Sequence, residues 1–85
     1  MLSKTIVISK KEGMHTRPAA IFVREAGKFK SEIQLTSSEV TVNGKSIMGI
    51  LMLALGEGSE VILIVEGPDE EEALGVLSEI LGGSS

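Results

Sequence analysis

Four stretches of the chain have the hydrophobic pattern of β-strands. Three alternate apolar and polar side chains, as half-buried strands do, and the fourth is a continuous β-branched run, as a central strand would be. They cover residues 2–9, 32–36, 40–42 and 61–65. Because the polar residues 37–39 separate the second and third stretches, those two strands are predicted to form a hairpin.

Two stretches have the spacing of amphipathic α-helices. The first, at 16–27, has a proline in its first turn, where the missing N–H has no partner to lose. The other, at 70–81, follows Asp69 as a predicted capping residue and begins with three glutamates that complement the helix dipole. Residues 82–85 are predicted to stop this helix and fray. The buried face of the first helix is predicted to comprise Ala19, Phe22, Val23 and Ala26.

A third helix is predicted from composition at 47–55, nine consecutive residues without a polar side chain. Leu, Met and Ala favour a short helix over a buried strand despite Gly49, and Ser46 is typical of an N-cap. A helix that is apolar on every side cannot be covered completely in so small a protein. We therefore expect an exposed apolar patch that serves as a docking site, with Met48 and Met52 making it adaptable.

The predicted element order, βαββαβα, places the chain in the α+β class. The hairpin and the apolar stripes of the helices predict an open-faced β-sandwich, a four-stranded antiparallel sheet with three helices on one face. A length of 85 residues predicts a single domain over 1–85. No apolar run approaches the roughly 20 residues of a membrane span, no secretory signal is recognisable, and cysteine is absent. A cytoplasmic protein without membrane insertion, disulfides or thiolate metal sites is therefore expected.

Charge is distributed unevenly along the chain. The net charge is -4, yet all eight basic residues lie at or before Lys45. Set against four acidic residues, they give residues 1–45 a charge of +4 and leave residues 46–85 at -8. Positive potential in the first half suits acidic partners. Nucleic acid fits poorly, because the only aromatic residues, Phe22 and Phe29, are at positions typical of the core.

The only histidine, His15, lies between the first predicted strand and the first helix. There its imidazole would stand beside unpaired backbone N–H groups and the positive end of the helix dipole, which is a place to hold an anion. Arg17, Ile21 and Arg24 follow at i, i+4 and i+7 and form a stripe beside it. This stripe is a candidate contact surface.

Two motifs resemble the signatures of the HPr family. The first is Gly-Met-His-Thr-Arg-Pro-Ala-Ala at 13–20, and the second is Asn-Gly-Lys-Ser-Ile-Met-Gly at 43–49. HPr is the histidine-containing phosphocarrier protein of the bacterial phosphoenolpyruvate-dependent sugar phosphotransferase system, and the similarity covers essentially the whole chain. The resemblance implies a phosphoryl carrier without cofactor or metal, rather than an independent turnover enzyme.

The resemblance also implies roles for single residues. His15 would take a phosphoryl group on Nδ1 from phosphorylated Enzyme I and pass it to an Enzyme IIA domain. The backbone N–H groups of Thr16 and Arg17, together with the Arg17 guanidinium, would hold the phosphoryl oxygens. Because a carrier must release its cargo, an exposed site that binds the group weakly is expected.

In HPr proteins of Gram-positive type, to which Ser-Ile-Met-Gly at 46–49 is similar, the serine matching Ser46 is phosphorylated by HPr kinase/phosphorylase. That form also binds the catabolite control repressor. A purely structural role as an N-cap is the alternative for Ser46, and the two roles can coexist. A monomer is expected. Contacts with partner proteins are expected at Ala20, Ile21, Arg24, Ile47, Met48 and Leu51.

Two other functions stay open at this point. A regulatory HPr paralogue would act mainly through the form phosphorylated on Ser46, although retention of His15 argues against it. An unrelated α/β binding module would leave His15 as a bystander. The chain also departs from the family pattern: Ala54 replaces a frequent glycine, and Met52 stands where a small polar residue is common. Both departures bear on docking.

Overall fold

A computed structural model describes residues 1–82, and within them the chain forms seven elements. Their order confirms the predicted βαββαβα fold. The tail predicted after residue 82 lies outside the described residues. The elements are β1 (Leu2–Val7), α1 (Thr16–Ala26), β2 (Glu32–Ser37), β3 (Val40–Asn43), α2 (Ile47–Met52), β4 (Glu60–Glu66) and α3 (Glu70–Gly82).

The four strands form an antiparallel sheet in the order β1-β4-β2-β3. The continuous apolar sequence of β4 suits its position between β1 and β2. On one face of the sheet, Val61 of β4 lies opposite Ile6, and Leu63 lies opposite Leu35. All four of these side chains are buried, whereas Ile62 on the other face is exposed. The sheet is therefore covered on one side and open on the other.

The core fills the space between the covered face and the three helices. Phe22 is fully buried and Phe29 packs partly buried against the same cluster, so both aromatic residues belong to the core as predicted. On α1, Val23 is half-buried and the other residues of the predicted buried face are inaccessible. The helical contributions to the core are Ala19, Phe22, Ala26, Ile50, Ala73, Leu77 and Leu81.

The hairpin between β2 and β3 turns more tightly than predicted. β2 continues through Ser37, which pairs with Val40, so the turn consists of Ser38 and Glu39 alone. Both turn residues have positive φ, 50° and 67°, as the twist of a two-residue hairpin requires. The turn is therefore set by the register of the strands rather than by the glycine or asparagine that usually marks it.

Helix α2 ends earlier than predicted. Leu53 is its C-cap, and Ala54 follows in the left-handed conformation with φ 51°. This conformation turns the chain so that Leu55 enters the core. The expected helix to residue 55 was wrong because burial of Leu55 and helical continuation point the chain in different directions.

Asp69 precedes α3 as predicted, but its carboxylate binds a different segment. It accepts hydrogen bonds from Lys30 N–H at 2.9 Å, Ser31 N–H at 3.0 Å and the Ser31 hydroxyl at 2.5 Å. Ser31 is fully buried. The Asp69 carboxylate therefore links the start of α3 to the residues just before β2.

Candidate functional site

His15 is the N-cap of α1, but its side chain forms no capping hydrogen bond. Its carbonyl oxygen accepts the first hydrogen bond of the helix, from Ala19 N–H at 3.0 Å. An N-cap side chain usually accepts from the N–H two or three positions on, and here Pro18 occupies the third and has none. The amides of Thr16 and Arg17 precede the first intrahelical bond and are left for another acceptor.

The loop that carries His15 is fixed against the segment that follows α2. Gly13 has φ 72°, and a Cβ there would collide with the carbonyl of Leu55. Its N–H donates to Lys10 O at 2.9 Å, and Met14 N–H donates to Leu55 O at 2.8 Å. The Met14 side chain is buried in the core. A buried anchor and a close backbone contact therefore hold the residue directly before His15.

The imidazole itself stands partly in solvent. The His15 side chain is 48% exposed, and its Nε2 lies 3.4 Å from Oε1 of Glu12. Arg17 is exposed, and within residues 1–82 its guanidinium has no carboxylate partner, whereas Arg24 Nε lies 3.9 Å from Oε2 of Glu25. Glu12 was not among the predicted site residues, although its spacing of three residues from His15 could have suggested the contact.

The structure confirms Ser46 as the N-cap of α2. Its Oγ accepts a hydrogen bond from Gly49 N–H at 3.0 Å. One side of the helix packs into the core through the fully buried Ile50, while Met48 and Met52 are each 73% exposed. This confirms the expectation that a helix apolar on every side leaves part of its surface uncovered.

Helices α1 and α2 pack side by side, so their outward-facing side chains contribute to one surface of the molecule. We call it the α1–α2 surface, defined by the exposed residues Ile21, Arg24, Ile47, Met48 and Met52. Of the predicted partner contacts, four belong to this surface. The remaining two, Ala20 and Leu51, are half-buried beneath it. Contact of these residues with other proteins stays a prediction.

Metal sites, grooves and membrane-spanning helices are the other features that could carry a function. Residues 1–82 contain no group of three or more His, Cys, Asp or Glu side chains placed to hold a metal ion. A groove of about 330 Å³ lies along β2 and β3 between Lys30 and Lys45, and His15 does not line it. None of the helices described is long and apolar enough to span a bilayer.

Solved structures of similar proteins match this chain over nearly its whole length. HPr from Bacillus anthracis matches with a TM-score of 0.91 and 45% identity, covering 94% of this chain and 95% of that one. An HPr dimer from Thermoanaerobacter tengcongensis matches with a TM-score of 0.74 and 48% identity, covering 94% and 92%. Because some similar proteins are dimers, the monomer stays a prediction.

The sequence comparisons agree with the fold. The family model described as "PTS HPr component phosphorylation site" matches residues 2–82. Phosphocarrier protein HPr of Treponema pallidum is 45% identical over 80 residues, 94% of this chain and 91% of that protein. The HPr-like protein Crh of Halalkalibacterium halodurans is 48% identical over 77 residues, 91% and 92% of the two chains. The chain therefore belongs to the HPr family, the phosphocarrier proteins of the phosphotransferase system.

Proposed function

We propose that this protein relays a phosphoryl group in the cytoplasm, receiving it from phosphorylated Enzyme I on Nδ1 of His15 and passing it to Enzyme IIA domains. The observation that carries the proposal is the state of the His15 side chain. It is half-exposed at the start of α1 and caps nothing, so the lone pair of Nδ1 is not occupied by a backbone N–H. A ring placed in this way can act as a nucleophile toward another protein.

The surroundings of His15 suit a group that is held briefly. The lone pair of Nδ1 forms the bond to phosphorus while the bond between phosphorus and the donor breaks, with its electron pair returning to the donor. The amides of Thr16 and Arg17 and the exposed Arg17 guanidinium are available for the phosphoryl oxygens. Because the site is open to solvent, two partner proteins can approach the same nitrogen in turn.

Phosphorylation by Enzyme I tests the relay directly. Incubation with phosphoenolpyruvate and Enzyme I should give one phosphate per chain that is labile in acid and stable in base, as phosphohistidine is. Addition of an Enzyme IIA domain should then remove it. Substitution His15→Ala should abolish incorporation. Phosphate that still appears in the His15→Ala protein would contradict the proposal.

We also propose that Ser46 is a regulatory phosphorylation site for an HPr kinase/phosphorylase. The hydroxyl lies at the edge of the α1–α2 surface, where a phosphate would add close to two negative charges beside exposed apolar side chains. A phosphate oxygen can replace Oγ as acceptor for Gly49 N–H, so α2 need not unfold. The added charge would weaken docking of acidic Enzyme I and create a surface for the catabolite control repressor.

The kinase provides the test for Ser46. With ATP and the kinase, the protein should acquire phosphate that is stable in acid, and transfer from Enzyme I to this form should be slower. A Ser46→Ala protein should acquire none. If the Ser46→Ala protein is labelled as fully as the unsubstituted one, Ser46 is not the target.

A regulatory paralogue is the second candidate, because the Crh relative is as similar to this chain as the HPr relatives are. Such a protein would be phosphorylated on Ser46 while carrying little phosphate to Enzyme IIA. The two candidates differ in the rate at which phosphate passes through His15. This rate is compared with the rate for an HPr of known carrier function under the same conditions. Comparable rates support the carrier, and a rate lower by orders of magnitude supports the paralogue.

A further inference from the structure

Glu12 stands next to the ring nitrogen of His15 that the proposed reaction does not use. Its Oε1 lies 3.4 Å from Nε2, slightly beyond hydrogen-bond length, and the Glu12 side chain is 82% exposed. A small rotation of so exposed a side chain closes the gap to a hydrogen bond. The two residues are on one loop, separated by Gly13 and the buried Met14, which fixes the backbone between them.

A carboxylate beside one nitrogen of a neutral imidazole decides which nitrogen carries the proton. An ionised carboxylate only accepts hydrogen bonds, so it favours the tautomer with the proton on the nitrogen that it faces. Here that nitrogen is Nε2, which leaves the lone pair on Nδ1. We infer that Glu12 is a positioning residue that keeps the His15 ring in the nucleophilic tautomer and orientation; this rests on the proposed relay through Nδ1.

The same carboxylate acts during transfer. When the Nδ1 lone pair forms the bond to phosphorus, no proton leaves the ring, and positive charge spreads to the Nε2–H group. Glu12 Oε1 lies 3.4 Å from this nitrogen, so the carboxylate stabilises the positive charge that develops there. Because the reverse reaction passes through the same state, Glu12 assists both acceptance and donation.

Nitrogen NMR of the ring tests the positioning role without any partner protein. In protein labelled with ¹⁵N-histidine, His15 is the only labelled residue, and the shifts of its two nitrogens report the tautomer populations of the neutral ring. In Glu12→Ala the fraction with the proton on Nδ1 should rise by at most about two- to fivefold, because a neutral ring gains less from an exposed carboxylate than a charged partner would. Glu79→Ala, which removes an exposed glutamate of α3, should match the unsubstituted protein. Equal populations in all three proteins would overturn the inference.

Transfer kinetics provide the second measurement. With phosphorylated Enzyme I as donor, Glu12→Ala should lower kcat about two- to fivefold and leave KM unchanged, because the α1–α2 surface is intact. Glu12→Gln keeps an acceptor but loses the charge, so it should restore the tautomer and only part of the rate. Slower transfer with unchanged tautomer populations would also overturn the inference, since the residue would then act in another way.

The two proposals fail in different ways. If the unsubstituted protein accepts no phosphate from Enzyme I, the relay fails, and the tautomer populations still test the contact between Glu12 and the ring. If the unsubstituted protein is phosphorylated while Glu12→Ala equals Glu79→Ala in both measurements, only the role of Glu12 fails. Thermal unfolding of each variant checks that the fold is retained.

Discussion

Ala54 shows how one residue can hold an unfavourable conformation in return for placing its neighbour. Its φ of 51° is in the left-handed region, which costs a residue with a Cβ about 1–2 kcal/mol. Burial of Leu55, which this turn places in the core, offsets the cost. The glycine that is frequent at this position in the family would adopt the same conformation without that cost, so Ala54 is expected to lower stability relative to glycine, whatever its effect on docking.

Replacement Ala54→Gly is therefore expected to raise the free energy of unfolding by about 0.5–1 kcal/mol, since relief of strain exceeds the added flexibility of the unfolded chain. Urea unfolding measures the change. Gly58→Ala is the matched control: Gly58 has φ 87° and open space around it, so an added methyl group should lower stability through backbone strain alone. A less stable Ala54→Gly protein would show that the backbone of Ala54 is not strained.

Helix α2 is short, and its stability depends on its ends and its underside. It has six residues, and the Ser46 side chain satisfies one of its unpaired amides. Ile50 anchors it to the core, while Met48 and Met52 face outward. The element that presents the apolar part of the α1–α2 surface is thus held by the buried Ile50, by the partly buried Leu51 and Leu53, and by the Ser46 hydroxyl.

Loss of the Ser46 cap should have a measurable cost. Ser46→Ala is expected to lower the free energy of unfolding by about 1 kcal/mol, because the Gly49 amide loses its acceptor. Ser46→Asp retains an acceptor of comparable capping strength and should stay within a few tenths of 1 kcal/mol of the unsubstituted protein. Denaturant titration of the three proteins makes the comparison. Equal stability of Ser46→Ala and Ser46→Asp would mean that the hydroxyl does not support α2.

Across the whole molecule, two carboxylates at the start of α3 join segments that are distant in sequence. The Ser31 hydroxyl, followed by the Lys30 N–H, lowers the pKa of Asp69 from its ordinary value of 3.8. The Gly67 N–H, followed by the N-terminal ammonium group 3.4 Å away, lowers the pKa of Glu70 from 4.5. Both groups bind protons less readily when the protein is folded, so they stabilise it most when ionised.

The sign of the resulting pH dependence follows from linkage. Because both pKa values are lower in the folded protein, this stabilisation is complete above about pH 5 and is lost as the pH falls through the folded-state values. Asp69→Asn should therefore be less stable at neutral pH. Its midpoint of thermal unfolding should also fall less than that of the unsubstituted protein between pH 6 and about pH 3. Glu72→Gln replaces an exposed glutamate in the first turn of α3, so its midpoint of thermal unfolding should fall with pH as in the unsubstituted protein. If the midpoint of Asp69→Asn falls with pH as steeply as that of the unsubstituted protein, the Asp69 carboxylate does not stabilise the fold in this way.

Local patterns predict local features, and the differences between prediction and structure arise from distant contacts. Alternation predicted the strand that carries the buried Ile6, and the apolar run after Ser46 predicted the helix that Ser46 caps. The partner of the Asp69 carboxylate is 38 residues away in the chain, beyond the reach of capping rules. The end of α2 depends likewise on Leu55, whose burial is decided by the rest of the core. Such pairings are set by the tertiary fold and not by any local pattern.

The hydrogen bond from Met14 N–H to Leu55 O makes one amide proton a reporter on the contact between the loop that bears His15 and the segment that follows α2. This proton can exchange with solvent only when the loop bearing His15 separates from the segment that ends α2. Slow exchange at Met14 would thus record that the loop and this segment rarely separate. Because Gly13 also packs against the Leu55 carbonyl, with no room for a Cβ between them, a displacement at the end of α2 would move the backbone beside His15 as well.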